Sequence, residues 1–142
     1  MKVKYHSAIT RYEGSFSSLS AFLLCPAPRE SDSESMQCSA NGTLCEEKDG
    51  FSLSYREEDG TPVRVEYKAG ELKFARGLTQ SLFSLGKTTV FSHHMGYGSL
   101  ECAAYTTRLE TVKRDGKTLL MLTYIALISG MAQKNTMMWK LG

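Results

Sequence analysis

The sequence predicts an all-β protein, an antiparallel up-and-down meander of about eight to ten strands that closes into a barrel. Glycine returns at near-regular intervals from Gly50 onward, at Gly60, Gly70, Gly77, Gly86, Gly96, Gly98, Gly116 and Gly130, the punctuation of hairpins rather than of helices. Asp49-Gly50, Asp59-Gly60 and Asp115-Gly116 are pairs that tolerate positive φ in a two-residue turn, and each is flanked by strand-like composition. Between the turns apolar side chains recur with period two. Such a meander leaves bare edges unless the sheet curls and closes, which favours a barrel over a sandwich.

The strands follow from this alternation. Phe51, Leu53 and Tyr55 share one face against Ser52, Ser54 and Arg56, and Val63, Val65 and Tyr67 share one against Arg64, Glu66 and Lys68. Residues 117–128 differ: Leu119, Met121, Ile125 and Leu127 lie on one face and Leu120, Leu122, Ala126 and Ile128 on the other. A strand apolar on both faces needs a cover outside, from another segment or a partner chain. The last strand, about 132–141, turns Asn135, Met137, Trp139 and Leu141 to one face, the inward one. Near the N-terminus a serine-rich, then apolar stretch predicts a short helix or strand over residues 19–24, lying on the barrel. A polar loop marked by Pro26 and Pro28 follows, so that residues 15–35 read as an insertion or mobile loop within one domain spanning residues 1–142.

The chain of 142 residues suffices for one core. Its 17 basic and 15 acidic residues are scattered, with no like-charge run that would mark a nucleic-acid or anionic-membrane surface. The basic start, Lys2 and Lys4, has no apolar run behind it and does not read as a secretory signal, and the longest apolar stretch is too short to span a bilayer as a helix. Cys25, Cys38, Cys45 and Cys102 lack any C-x-x-C spacing. A cytoplasmic protein with free thiols is the expectation.

From about Ser39 to the C-terminus the order of motifs resembles the YwiB-like family of bacterial proteins of unknown function. Gly42-Thr43-Leu44-Cys45-Glu46-Glu47-Lys48-Asp49-Gly50, followed by Leu53-Ser54-Tyr55-Arg56-Glu57, resembles that family's opening hairpin. Phe74-Ala75-Arg76-Gly77, Tyr97-Gly98-Ser99-Leu100-Glu101 and Tyr124 in a long strand continue the order. The departure is in residues 15–33, which look like an insertion relative to the family's short first connection. The resemblance implies a calycin-type, lipocalin-like barrel, a bacterial cytoplasmic setting and an interior pocket. It supplies no catalytic or binding residues.

Arg76 continues the face of Leu72 and Phe74, so its guanidinium points inward at the end of an apolar strand. It must meet a carboxylate, backbone carbonyls or an anionic ligand there, with Glu46, Glu66 and Glu101 as candidate partners. Tyr55, Tyr67, Tyr105 and Tyr124 are strand tyrosines that can fill a lumen while offering a hydroxyl, and His94 is a candidate lumen imidazole. His93 and His94 are strand neighbours that point to opposite faces, so with Cys102 they do not make a metal site. Gly86-Lys87-Thr88 ends like a phosphate loop, but Ser81 stands where a glycine is required and a strand follows where a helix is needed; a hairpin turn is expected instead.

No nucleophile elbow, metal signature or dinucleotide loop is present, so no cofactor is implied. The acids Glu46-Glu47 and Glu57-Glu58 read as solvated charge beside turns. The leading expectation is a barrel that takes an apolar or amphipathic small molecule into a lumen lined by Tyr55, Tyr67, Arg76, His94, Tyr105 and Tyr124. The alternative is a solid-cored interaction module that pairs as a homodimer, and the third an enzyme of unknown type.

Overall fold

A computed structural model of the protein describes residues 1–95 and 97–142, with residues 93–95 described in their backbone only. In chain order the elements are β1 (Lys2–Tyr12), α1 (Leu19–Leu23), β2 (Glu30–Glu47), β3 (Gly50–Arg56), β4 (Pro62–Lys68), β5 (Glu71–Arg76), β6 (Thr79–Ser84), β7 (Thr88–Met95), β8 (Gly98–Arg114), β9 (Lys117–Ile128) and β10 (Met131–Leu141). All ten strands form one antiparallel sheet in the order β6-β5-β4-β3-β2-β1-β10-β9-β8-β7. Sequence neighbours pair, and β1 pairs with β10 from Val3 opposite Leu141 to Arg11 opposite Gln133. This is the predicted meander, curled into a nearly closed barrel.

The seam lies between β6 and β7, which are consecutive but share no ladder. The hairpin expected at Gly86-Lys87-Thr88 is therefore a turn of another kind. The Gly86 amide donates to the Thr106 carbonyl at 2.9 Å and the Thr106 amide to the Lys87 carbonyl at 3.2 Å, tying the turn to β8 instead of zipping its two arms together. Inside, Phe83 of β6 and Phe91 of β7 bridge the seam edge to face, with ring centroids 5.7 Å apart.

The Asp-Gly turns divide by chemistry. Asp115 and Gly116 have φ of 55° and 74°, the conformation of a two-residue hairpin turn of the favoured hand. Gly50 instead begins β3, with Glu47 opposite it in the ladder. Its glycine answers to a close approach: a Cβ built there would stand 1.8 Å from the Tyr67 carbonyl oxygen.

The alternation sorts the interior as predicted. Leu53, Val65, Leu72, Leu120, Leu122 and Trp139 have no exposed surface, and Phe51, Tyr55, Val63, Tyr124 and Leu141 join them in one core. The outward face of β9 is covered in part by the chain's own helix. Leu19 and Phe22 of α1 pack with Ile125 and Ala132, against which Tyr12, Phe16, Ala103, Tyr105 and Leu127 also rest. The Ser18 hydroxyl caps the helix by accepting from the Ala21 amide at 3.1 Å. Thus α1 lies on the barrel wall. Residues 30–35 are the opening of β2, paired with residues 8–12 of β1, so the segment 15–35 is not a loop throughout. Arg11 braces this pairing with ion pairs to Asp32 and Glu34.

Gly50→Ala is expected to lower unfolding free energy by about 2 kcal/mol in a urea titration, because the clash is with backbone that cannot step aside. Phe22→Ala should cost about 2–3 kcal/mol in the same titration by stripping α1 from β9.

Candidate functional site: the hollow end of the barrel

The core fills only part of the barrel. Towards the end where β1, β5 and β9 finish, the inward side chains enclose a cavity of about 410 Å³, within the range of ligand sites. Tyr5, Ser7 and Ile9 enter it from β1, Phe74 and Arg76 from β5, Thr79, Ser81 and Phe83 from β6, and Phe91 and Cys102 from β7 and β8. Tyr124, Ala126 and Ile128 of β9, and Gln133, Asn135 and Met137 of β10, complete the wall, with half-exposed Met36 of β2 at the rim.

The floor rests on Trp139. Its ring lies 5.3 Å from that of Tyr5 and 5.7 Å from that of Phe74, and its indole Nε1 donates to the Tyr55 hydroxyl at 3.1 Å. Phe83 stacks on Tyr124 with centroids 4.4 Å apart, making an aromatic wall on the seam side. Outside the seam a surface groove lined by Arg64, Glu66, Lys73 and Gln80 shares Phe74, Ser81 and Phe91 with the cavity.

Polar groups are few and specific. At the mouth Arg76 forms a two-pronged pair with Glu57: its Nε donates to one carboxylate oxygen and its second terminal nitrogen to the other at 2.9 Å. This bond holds the guanidinium firmly protonated. Asn135 is buried, its amide is hydrogen-bonded to that of Gln133 at 3.2 Å, and its side chain also meets the Tyr124 hydroxyl. Opposite Asn135 in the ladder stands Tyr124, whose burial pushes its hydroxyl well above the ordinary tyrosine range. Burial likewise raises the Tyr5 and Cys102 groups, so the described part of this wall carries no charge except at Arg76.

Of the residues singled out from sequence, Arg76 and Tyr124 meet in this cavity. Tyr55 is buried but engaged with Trp139, and Tyr67 packs on Phe51 with centroids 5.6 Å apart, away from the hollow end. Tyr105 is a correction: Ala104 and Thr106 take the inward face of β8, which turns Tyr105 outward beneath α1. The side chain of His94 lies outside the described residues. The Arg76 partner is also a correction, since Glu57, read as a solvated turn acid, takes the place expected of Glu46, Glu66 or Glu101. Asn135 was placed on the inward face but not singled out. A lone amide among Met137, Trp139 and Leu141 was the available signal.

The family model described as a domain of unknown function, DUF1934, matches residues 27–138. The chain belongs to the DUF1934 family. The match begins before Ser39, so the family pattern reaches further into the first third than the motifs alone indicated. The crystal structure of YwiB protein from Bacillus subtilis superposes on this DUF1934 chain with a TM-score of 0.67, covering 99% of this chain and 92% of that one at 16% identity, a likeness of fold. A search of curated proteins finds no match. Among the described residues no group of His, Cys, Asp and Glu is arranged to hold a metal ion, and no helix is long and apolar enough to cross a membrane.

Tyr5, Tyr55 and Tyr124 all have folded-state pKa values raised by burial. A neutral buried tyrosine leaves stability intact below the unfolded value of about 10 and erodes it above, where only the unfolded chain readily ionises. The urea midpoint of the DUF1934 domain is therefore expected to fall between about pH 9.5 and pH 11. Tyr124→Phe should fall less steeply over the same interval.

Proposed function

We propose that this DUF1934 domain is a small-molecule binding protein that receives an apolar or amphipathic ligand in the hollow end of its barrel. The observation that carries the reading is the cavity of about 410 Å³, walled by Tyr5, Phe74, Phe83, Phe91 and Tyr124 and interrupted by a few fixed polar atoms. Apolar walls with sparse, well-placed polar groups are what small-molecule sites require, because burial supplies affinity and the polar atoms supply orientation. Fold likeness adds no ligand to this argument, since one barrel architecture serves many purposes. Four cysteines without any C-x-x-C spacing support a reducing, cytoplasmic setting as part of the same reading.

Native mass spectrometry of freshly purified protein, set against its denatured mass, tests this directly. Extra mass that disappears on denaturation is the expected result. The same preparation, stripped of ligand, should shift its Trp139 fluorescence when an apolar probe such as N-phenylnaphthylamine is added, because Trp139 lies one ring behind the cavity wall. A bare protein whose tryptophan ignores apolar probes would sink the reading.

A further inference from the structure

We infer that the open edge of β2 seats a second copy of this chain, the two β2 strands pairing antiparallel about a two-fold axis at Met36 and joining two barrels into one continuous sheet. This does not depend on the ligand reading.

β2 is paired along its whole length on neither side. β1 runs beside it from Glu30 to Asn41, whereas β3 joins it only from Gly42 to Glu47, so residues 32–41 carry a ladder on one edge and none on the other. The Gly42 amide donates to the Met1 carbonyl at 2.9 Å and the register is regular from Asp32 onward, so even-numbered residues turn their backbone groups to β1 while Ser33, Ser35, Gln37 and Ser39 turn theirs to the open side. These residues are exposed, and among the described residues no hydrogen bond reaches their open backbone groups. A long bare edge without proline or lysine is a template for another strand.

The side chains decide the occupant and the register. Asp32, Glu34, Met36 and Cys38 lie on the barrel-interior side and Ser33, Ser35, Gln37 and Ser39 on the outer side. A two-fold at Ser33 would set Asp32 against Glu34 of the partner subunit, and one at Glu34 would set that acid against its own mate; like charges directly opposite repel. A two-fold at Met36 avoids both. Asp32 then meets Ala40 of the partner subunit, Glu34 meets Cys38 of the partner subunit, and the outer face pairs neutral serines and Gln37. Arg11 already holds both acids in ion pairs, so little free charge remains on this edge. The segment is complementary to itself, which is what an isologous interface requires.

Met36 supplies the apolar centre. Its side chain is 46% exposed, and at the two-fold it is covered by the partner's Met36 in a non-hydrogen-bonded pair, the closest kind of cross-strand contact. Met36 also stands at the rim of the cavity. Pairing therefore makes each barrel contribute a side chain to the mouth of the other.

Sedimentation equilibrium of the intact protein, 15.8 kDa as a monomer, tests this. A dimer with a Kd in about the micromolar range is expected. Met36→Lys should weaken it roughly tenfold or more by setting two ammonium groups opposite each other, and Ser17→Lys, the same charge change at another exposed position, should leave it unchanged. Oxidised Met36→Cys should link residue 36 to residue 36 of the second copy in preference to Cys38 or Cys45, because the Cα separation of about 4.5 Å in such a pair accepts a disulfide. A monomer at every concentration up to about 1 mM would overturn the inference. So would a dimer that Met36→Lys leaves intact, or a Met36→Cys disulfide that maps elsewhere. If Met36→Lys does not fold, the disulfide map of Met36→Cys decides. None of these outcomes bears on the ligand reading, whose own test is the mass retained through purification.

Discussion

Trp139 is the side chain on which the interior is built. It has no exposed surface, packs in tilted ring contacts against Tyr5 and Phe74, and gives its indole hydrogen to Tyr55. A buried indole without an acceptor would be costly, so the Tyr55 hydroxyl, eighty-four residues away in sequence, makes the placement tenable. Once Trp139, Leu120, Leu122, Leu53 and Leu72 occupy one part of the barrel, the side chains beyond Tyr5 and Phe74 are too few to fill the rest. Eight strands give a barrel that side chains just fill, and ten give a wider one. The cavity is the geometric remainder.

Closure has its own logic. The ladder between β1 and β10 brings the two chain ends together and places Ser7 and Ile9 opposite Met137 and Asn135, so both sides of the cavity are anchored in one continuous stretch of hydrogen bonds. The place where pairing stops, between β6 and β7, is bridged by Phe83 and Phe91 instead of by backbone. The barrel is thus weakest in backbone bonding where its cavity comes nearest to the outer surface groove. An aromatic contact at that position holds shape without sealing the wall.

The alternation of side chains made the inward faces of β3, β4 and β10 readable, because strand geometry forces period two regardless of context, whereas β9, apolar on both faces, showed only that it needed a cover. The same rule put Arg76 on the face of Leu72 and Phe74. It did not identify Glu57 as the partner, because that depends on how the turn after β3 passes the end of β5, a relation set by two successive hairpins. Tyr105 shows the limit most clearly. Its strand contains Cys102, Ala104 and Thr106 on one side and Ala103 and Tyr105 on the other, and by size alone the tyrosine looks like the core residue. The small residues nonetheless face inward, and the tyrosine packs under α1 instead.

The sequence by itself determined an all-β meander, its strand faces, and the need for a cover over β9, since these follow from local stereochemistry and from the cost of exposing apolar surface. Only the tertiary structure decided that α1 provides part of that cover, that β6 and β7 stay unpaired, and which inward residues surround empty space. Emptiness is a property of summed volumes across strands far apart in the chain. No local pattern records whether the side chains of ten strands, brought together, are enough to fill the barrel they enclose.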